Sequence, residues 1–242
     1  MDLSMDLSSG GMPPGIVALD RPSWPEADRL VSALGDEVSF YKVGLELFSS
    51  EGPGVVRELV GRGKRVFLDL KLHDIPNTAA GAARAASRLG ASLLTVHAAG
   101  GAAMVRAAVD AAAEASAGRT RILAVTVLTS LAEGRLPASF PPGVSVLSLV
   151  EALAAEALTA GAPGLVCSGA EVGGLRRRFG EAPLLVVPGT RPAGAQVQDQ
   201  ARVVTPHAAI EAGANWLVVG RAVIDAPDPR AAWRSFWQAQ PA

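Results

Sequence analysis

The feature of this chain that most constrains its fold is a regular alternation of short apolar segments with segments of helical periodicity. A short, continuous apolar run is typical of a strand buried on both faces, and helical spacing of apolar residues is typical of a helix packed on a sheet. The predicted strands are residues 16–20, 39–44, 65–70, 92–97, 121–127, 164–167, 184–187 and 216–219. The predicted helices are residues 25–34, 49–61, 78–89, 98–115, 146–160, 171–179, 205–213 and 229–238.

Eight strand–helix units in one chain of 242 residues predict an α/β fold, a single-domain (β/α)8 TIM barrel over residues 15–242. An open doubly wound sheet that binds dinucleotides would carry Gly-x-Gly-x-x-Gly after its first strand. Here that place is taken by Asp20-Arg21-Pro22-Ser23-Trp24, so the glycine signal is absent. The sequence therefore favours the closed barrel.

The N-terminus and the composition limit the location and the partners. Residues 1–14 contain the near-duplicates Met1-Asp2-Leu3-Ser4 and Met5-Asp6-Leu7-Ser8, and we predict a disordered leader there, with Met1, Met5 and Met12 as candidate starts. We find neither a secretory signal nor an apolar run of the roughly 18 residues that a membrane span needs. The net charge of -1 lacks the basic excess of nucleic-acid-binding proteins, and Cys167 is the only cysteine. We therefore predict a cytoplasmic protein with no nucleic-acid or membrane partner.

Polar side chains follow the predicted strands at the ends that converge on one mouth of a barrel. The catalytic residues of such barrels come from these C-terminal strand ends. Two acids and two lysines come from three successive strands, which predicts an alternating network in which each partly buried charge has a partner. The residues at this mouth are Asp20, Lys42, Asp69, Lys71, His97, Thr129, Arg191, Gly220 and Arg221.

The third strand leads into the most informative stretch, which contains Asp69, Lys71 and Asp74. Alternate residues of a strand share a face, so Asp69 and Lys71 are expected to project to the same side. Asp74 follows just before Ile75-Pro76, a pair that disfavours helical geometry and marks an exit into a loop. Two carboxylates therefore bracket one ammonium group, and we interpret this stretch as a candidate catalytic site.

The loops after strands seven and eight are where barrels commonly bind phosphate. They contain Pro188-Gly189-Thr190-Arg191 and Val219-Gly220-Arg221-Ala222, which combine glycine backbone with guanidinium groups and predict a phosphate site. No two of His73, His97 and His207 have metal-ligand spacing, so we predict no metal and no cofactor. His97 either faces the site or is a hydrogen-bonded structural residue.

Together these residues resemble the orotidine 5'-phosphate decarboxylase family over nearly all of residues 16–223. The long motif around Lys71 is the most specific part of the likeness, and the other motifs add order and spacing. The matching motifs are Ala18-Leu19-Asp20, Tyr41-Lys42-Val43-Gly44, Asp69-Leu70-Lys71-Leu72-His73-Asp74-Ile75-Pro76-Asn77-Thr78, Val96-His97-Ala98-Ala99-Gly100-Gly101, Val125-Thr126-Val127-Leu128-Thr129-Ser130, Val166-Cys167-Ser168, Pro188-Gly189-Thr190-Arg191-Pro192 and Val219-Gly220-Arg221.

The resemblance implies a cofactor-independent decarboxylation of orotidine 5'-phosphate to uridine 5'-phosphate by a homodimer. It implies that Lys71 is the proton donor, flanked by Asp69 and by Asp74 of the neighbouring subunit. Ile75 and Thr78 would also belong to the neighbouring site. The remaining implied substrate contacts are Asp20 and Lys42 to the ribose, Thr129 near the ring and sugar, and Arg191, Gln200, Gly220 and Arg221 to the phosphate.

Two alternatives remain open at this point. A magnesium-dependent sugar-phosphate decarboxylase or aldolase of the same superfamily resembles this chain in Asp-x-Lys-x-x-Asp, but those relatives carry a metal-binding glutamate where this chain has Lys42. A catalytically silent barrel that binds a nucleotide is the second alternative.

One departure from the decarboxylase pattern is Thr190, where the family pattern has isoleucine.

Overall fold

In the computed structural model of the chain, eight parallel strands close into a barrel in sequence order, with β8 paired to β1. The structure describes residues 13–138, 140, 143–191 and 204–238. This architecture confirms the predicted (β/α)8 barrel. The strands are β1 Gly15–Ala18, β2 Phe40–Val43, β3 Arg65–Leu72, β4 Leu93–His97, β5 Arg121–Val125, β6 Gly164–Val166, β7 Leu184–Pro188 and β8 Trp216–Val219.

The helices of the described residues follow the strands on the outside of the barrel. They are α1 Trp24–Leu34, α2 Leu45–Glu51, α3 Gly54–Gly61, α4 Pro76–Arg88, α5 Gly101–Ser116, α6 Val146–Thr159, α7 Gly169–Phe179, α8 Pro206–Glu211, α9 Arg221–Ile224 and α10 Pro229–Gln238. None of the helices within these residues is long and apolar enough to cross a membrane.

One local difference from the predicted elements has a simple cause. The segment predicted as one helix over residues 49–61 is divided into α2 and α3, because Gly52 adopts φ 68° and Pro53 follows it. The start of the helix predicted from residue 205 agrees with α8. The Thr205 hydroxyl accepts a hydrogen bond from the Ala208 amide, and Pro206 occupies the first turn.

Two hydrophobic layers hold the barrel together. One fills the barrel interior with side chains from the strands, among them Phe40, Phe67 and Trp216. The other lies between the strands and the surrounding helices and includes Leu19, Tyr41 and Met104. Because strand residues alternate between these layers, the polar residues at strand ends remain as the lining of the two open faces.

Candidate active site

An irregularity in β3 positions the two central charged residues. The register between β3 and β4 changes from Leu68 opposite Leu94 to Leu72 opposite Val96, so β3 carries two extra residues over this span. Lys71 lies within it with a left-handed φ of 50°, a conformation that a non-glycine residue adopts only at a cost of roughly 1 kcal/mol or more. The strand therefore continues past its predicted end at Leu70, and the bulge brings Asp69 and Lys71 to the mouth together.

Four charged side chains form an alternating chain across three strands. The Lys71 ammonium lies 2.8 Å from Oδ2 of Asp69, and the Lys42 ammonium lies 3.7 Å from the same oxygen. Lys42 also donates to Oδ1 of Asp20 at 2.9 Å. The side chains of Lys42 and Asp69 are each 12% exposed, whereas Asp20 at the outer end is 52% exposed. The predicted network is thus most deeply buried at Lys42 and Asp69.

The ionisation of Asp69 follows from this arrangement. Burial alone would raise the pKa of Asp69, because it penalises the charged form. The ammonium groups of Lys42 and Lys71 and the hydrogen bonds from Lys71 and Thr95 outweigh burial, so the pKa lies below its usual range. Asp69 is therefore a permanent anion at neutral pH, and it holds the Lys71 ammonium in place.

Thr95 on β4 is a site residue that the sequence reasoning missed. Its side chain is fully buried, and its hydroxyl donates to Oδ1 of Asp69 at 3.0 Å while accepting from the Lys71 amide at 2.9 Å. One hydroxyl thus fixes both the carboxylate and the bulged backbone. The available signal was a polar residue between the apolar Leu94 and Val96, in the interior of the strand.

Gly44 is a second residue whose role emerges only in the structure. A Cβ atom at this position would lie 2.9 Å from the Lys42 ammonium nitrogen and 3.4 Å from Oδ1 of Asp20. The absence of a side chain therefore leaves the space in which these two groups meet. The sequence showed Gly44 as the last residue of the second predicted strand but gave no reason for it.

A cavity of about 580 Å³ opens at this mouth, and we call it the mouth cavity. Its lining brings together eight of the residues predicted from the sequence, namely Asp20, Lys42, Asp69, Lys71, Thr129, Arg191, Gly220 and Arg221. Glu46 and the ion pair of Arg21 with Asp225 also line it, and neither was predicted. Within the described ranges, no three His, Cys, Asp or Glu side chains are grouped as metal ligands would be.

The predicted phosphate residues lie at one side of the mouth cavity. Gly189 has a φ of 78°, which glycine adopts without strain, and Arg191 beside it is 8% exposed. The Arg191 amide donates to the Val204 carbonyl at 3.1 Å, which fixes the backbone at this point. Gly220 precedes α9. Gln200, the other predicted phosphate contact, lies outside the described residues.

Thr190, the departure from the family pattern, is buried at 1% exposure. Its hydroxyl has no hydrogen-bond partner among the residues that the structure describes. The environment is therefore one that an apolar side chain such as isoleucine would suit.

Asp74, Ile75 and Thr78 stand apart from this network in the single chain. All three are exposed, Ile75 to 67%, and none of them lines the mouth cavity. The carboxylate of Asp74 accepts a hydrogen bond from the Ile75 amide at 2.7 Å and forms no ion pair with Lys71 among the contacts described. One chain thus brings Asp69 and Lys71 together but leaves Asp74 outside.

His97 lies at the end of β4, half-buried, with its ring centroid 5.4 Å from that of His73. Burial lowers the pKa of His97, and the neighbouring His73 and Lys71 lower it further against the opposing effect of Asp69. Neither histidine lines the mouth cavity. These effects favour the neutral form of His97, beside His73 and outside the mouth cavity.

Comparisons with known proteins agree with this geometry. The chain matches the orotidine 5'-phosphate decarboxylase / HUMPS family over residues 13–236. Orotidine 5'-phosphate decarboxylase of Anaeromyxobacter dehalogenans is 55% identical over 222 residues, covering 90% of this chain and 94% of that protein. The enzyme of the same name from Thermobifida fusca is 53% identical over 220 residues, covering 90% and 92%.

A solved structure shows the same likeness in three dimensions. The crystal structure of orotidine 5'-phosphate decarboxylase from Lactobacillus acidophilus superposes with a TM-score of 0.82 at 39% sequence identity, covering 95% of this chain and 99% of that one. The match therefore extends over the whole barrel. This chain belongs to the orotidine 5'-phosphate decarboxylase / HUMPS family.

Proposed function

We propose that this chain decarboxylates orotidine 5'-phosphate to uridine 5'-phosphate, the last step of de novo pyrimidine biosynthesis. The observation that carries the proposal is the alternating chain Asp20–Lys42–Asp69–Lys71 on the wall of the mouth cavity. Relatives that are 47–55% identical over about 90% of the chain are named for this activity, which supports the choice of substrate.

The reaction needs a fixed cation beside one carbon atom. When the bond between C6 of the pyrimidine and its carboxylate breaks, CO2 departs and the electron pair stays on C6 as a localised carbanion. A positioned ammonium group stabilises this charge as it develops, and it then transfers one proton to C6. We assign this role to Lys71, which is left neutral and regains its proton from solvent.

Asp69, Thr95 and Lys42 support Lys71 in this scheme. Asp69 holds the Lys71 ammonium at 2.8 Å, and the Thr95 hydroxyl orients the carboxylate through its other oxygen. Lys42, bound to both Asp69 and Asp20, balances the negative charge of the pair. Because the charges are already arranged before the substrate arrives, little reorganisation is needed at the moment of reaction. Asp20 and Lys42 are also the proposed contacts to the ribose hydroxyls.

The far side of the mouth cavity is the proposed phosphate site. Arg191 and Arg221 would bind the phosphate through charge-assisted hydrogen bonds, and the backbone at Gly220 allows close approach. Gln200 is proposed as a further phosphate contact and Thr129 as a contact to ring and sugar. Binding energy at the phosphate, remote from C6, would hold the pyrimidine against Lys71.

We further propose that the active unit is a homodimer in which Asp74, Ile75 and Thr78 complete the neighbouring site. The exposure of these residues, including an apolar side chain that is 67% exposed, supports a role outside their own subunit. Coexpression of Lys71→Met and Asp74→Asn subunits tests this. Mixed dimers contain one intact site, so about a quarter of wild-type activity should return from two inactive parents. No recovery would contradict shared sites.

Turnover of orotidine 5'-phosphate, followed as loss of the orotate absorbance with and without EDTA, tests the activity itself. We expect equal rates in both, because Lys42 stands where a metal-binding glutamate would be needed and would repel Mg²⁺. Activity that EDTA abolishes would favour the magnesium-dependent branch of the family. Nucleotide binding without turnover would identify a silent barrel.

A further inference from the structure

A second cavity lies on the opposite face of the barrel, and we call it the opposite-face cavity. Its volume is about 740 Å³, within the range of small-molecule sites. Arg65 begins β3 and Arg121 begins β5, while Arg88 ends α4 and Arg119 follows α5, so the cavity lies at the N-terminal ends of the strands. None of these residues takes part in the proposed reaction.

The charge around this cavity is of one sign. Among the residues that the structure describes, four arginines line it and no carboxylate does. Within the described part of the chain, Arg88, Arg119 and Arg121 form no ion pair, whereas Arg62, Arg178 and other surface arginines pair with carboxylates. The carboxyl ends of α4 and α5 offset part of this positive charge, but a helix end carries only about half an elementary charge. A net positive potential therefore remains.

Arg65 is held in place by aromatic rings, with no carboxylate partner in the described part of the chain. Its guanidinium lies 4.5 Å from the ring centroid of Phe40 and 4.7 Å from that of Trp216, whose rings pack edge-to-face at 5.2 Å. This stacking fixes the direction of the guanidinium group. Burial lowers the pKa of Arg65, as expected for a cation that lacks an anionic partner.

The polar groups that remain available in the cavity are side chains. Ser87 lines it at 4% exposure, and its hydroxyl has no hydrogen-bond partner among the described residues. Several backbone amides of the lining are already used, such as those of Arg119, bonded to the Ser116 carbonyl, and Arg121, bonded to the Ser92 carbonyl. A ligand here would therefore meet guanidinium groups and partly exposed hydroxyls such as those of Ser39 and Ser92.

We propose that the opposite-face cavity binds a small polyanion carrying phosphate groups, separately from the substrate. Arginine presents paired N–H donors that match two phosphate oxygens at once, and several phosphates in a row would match several arginines. The inference rests on residues that the proposed decarboxylation does not use, so either can fail without the other.

Calorimetric titration with inorganic triphosphate at physiological salt tests this proposal. Three proteins are compared: wild type, Arg88→Gln/Arg121→Gln, and the matched control Arg29→Gln/Arg57→Gln. The control removes the same charge from two exposed arginines that line neither cavity. We expect wild type and control to bind equally, and the Arg88/Arg121 variant to bind at least about tenfold more weakly. Arg119→Glu, a single change in an exposed turn, should weaken binding similarly even if the double variant does not fold.

The remaining results are also decisive. Absence of binding by wild type, or equal affinity in all variants, would overturn the proposal, since equal affinity means that triphosphate binds at the mouth cavity or nonspecifically. A parallel titration with a nucleoside triphosphate identifies the source of the phosphate. If the nucleoside triphosphate binds more tightly than inorganic triphosphate, the ligand is a nucleotide. If the two bind equally, the cavity recognises the phosphate chain alone.

Discussion

The two faces of the barrel differ in how their positively charged side chains are paired. At the mouth, Asp69 and Lys71 are adjacent members of a chain in which every cation has an anion within 4 Å. At the opposite face, Arg65 is stabilised by two aromatic rings and its arginine neighbours have no described anionic partner. Both faces keep cations partly buried. Among the described residues, the mouth pairs Lys42 and Lys71 with carboxylates, whereas the arginines of the opposite-face cavity form no ion pair.

This difference in pairing indicates the function that suits each face. A compensated network is already organised before a substrate binds, so it suits a reaction in which charge moves by a small distance between fixed groups. A cluster of arginines without carboxylate partners can take its negative counter-charge from a bound ligand, so it suits binding of an anion. We therefore expect substitutions at the mouth to change turnover and substitutions at the opposite face to change stability or anion binding.

The largest effect is expected at Lys71. Replacing it with Met removes both the cation beside C6 and the proton, and kcat should fall by at least about 10⁴-fold. Affinity for uridine 5'-phosphate should change only a few-fold, since the phosphate site is untouched. Lys64→Met is the control, because the Lys64 ammonium donates to the carbonyls of Gly35 and Val38. Lys64→Met should retain turnover. If Lys64→Met lost as much kcat as Lys71→Met, the loss in Lys71→Met could not be assigned to the position of its ammonium group at the mouth.

The next effect concerns stability and comes from the opposite face. Trp216 is 2% exposed and packs against Phe40 and Arg65, so Trp216→Ala should lower the free energy of unfolding by about 3–5 kcal/mol. Chemical denaturation measures this. At a temperature where the variant is folded, kcat should stay within a few-fold of wild type. A loss of turnover as large as that of Lys71→Met would show that the two faces are not separable.

Gly44→Ala should reduce activity without a comparable loss of stability. The added methyl would displace the Lys42 ammonium, which is the mobile end of a flexible side chain and can move at little cost. We expect kcat/KM to fall by about 10- to 100-fold while the melting temperature changes little. Gly61→Ala is the control, because a Cβ there meets nothing within 4 Å. Unchanged kinetics of Gly44→Ala would mean that the exact position of Lys42 is unimportant.

The smallest effect is expected at Thr95, which acts through Asp69 and Lys71. Thr95→Val keeps the shape but removes the hydrogen bonds, so kcat should fall by roughly 5- to 20-fold with KM nearly constant. Thr95→Ser should restore most of the rate because it restores the hydroxyl. If Ser and Val behave alike, the side chain contributes only packing.

Much of the barrel and the charged part of the mouth could be predicted from sequence. Strand periodicity and strand ends are local properties, so Asp69 and Lys71 could be paired by their spacing alone. The break in the helix predicted over residues 49–61 was also signalled locally, by Gly52-Pro53, but was overlooked. The disordered leader and the cytoplasmic location stay predictions.

The remaining site features depend on contacts between distant parts of the chain. Thr95 meets Asp69 across 26 positions of sequence, and the value of Gly44 depends on where the Lys42 ammonium comes to rest. The left-handed backbone of Lys71 is imposed by the β3–β4 register, which no local propensity indicates. In the proposed homodimer, the position of Asp74 relative to the reaction depends on a second subunit, which the sequence of one chain does not describe.

Whether Lys71 acts on the pyrimidine can be decided by a crystal structure of the enzyme with a non-reactive analogue of orotidine 5'-phosphate. We expect the Lys71 ammonium nitrogen to lie within about 3.5 Å of C6 and to remain bound to Asp69. A Lys71 side chain turned into solvent, with C6 facing another group, would contradict it.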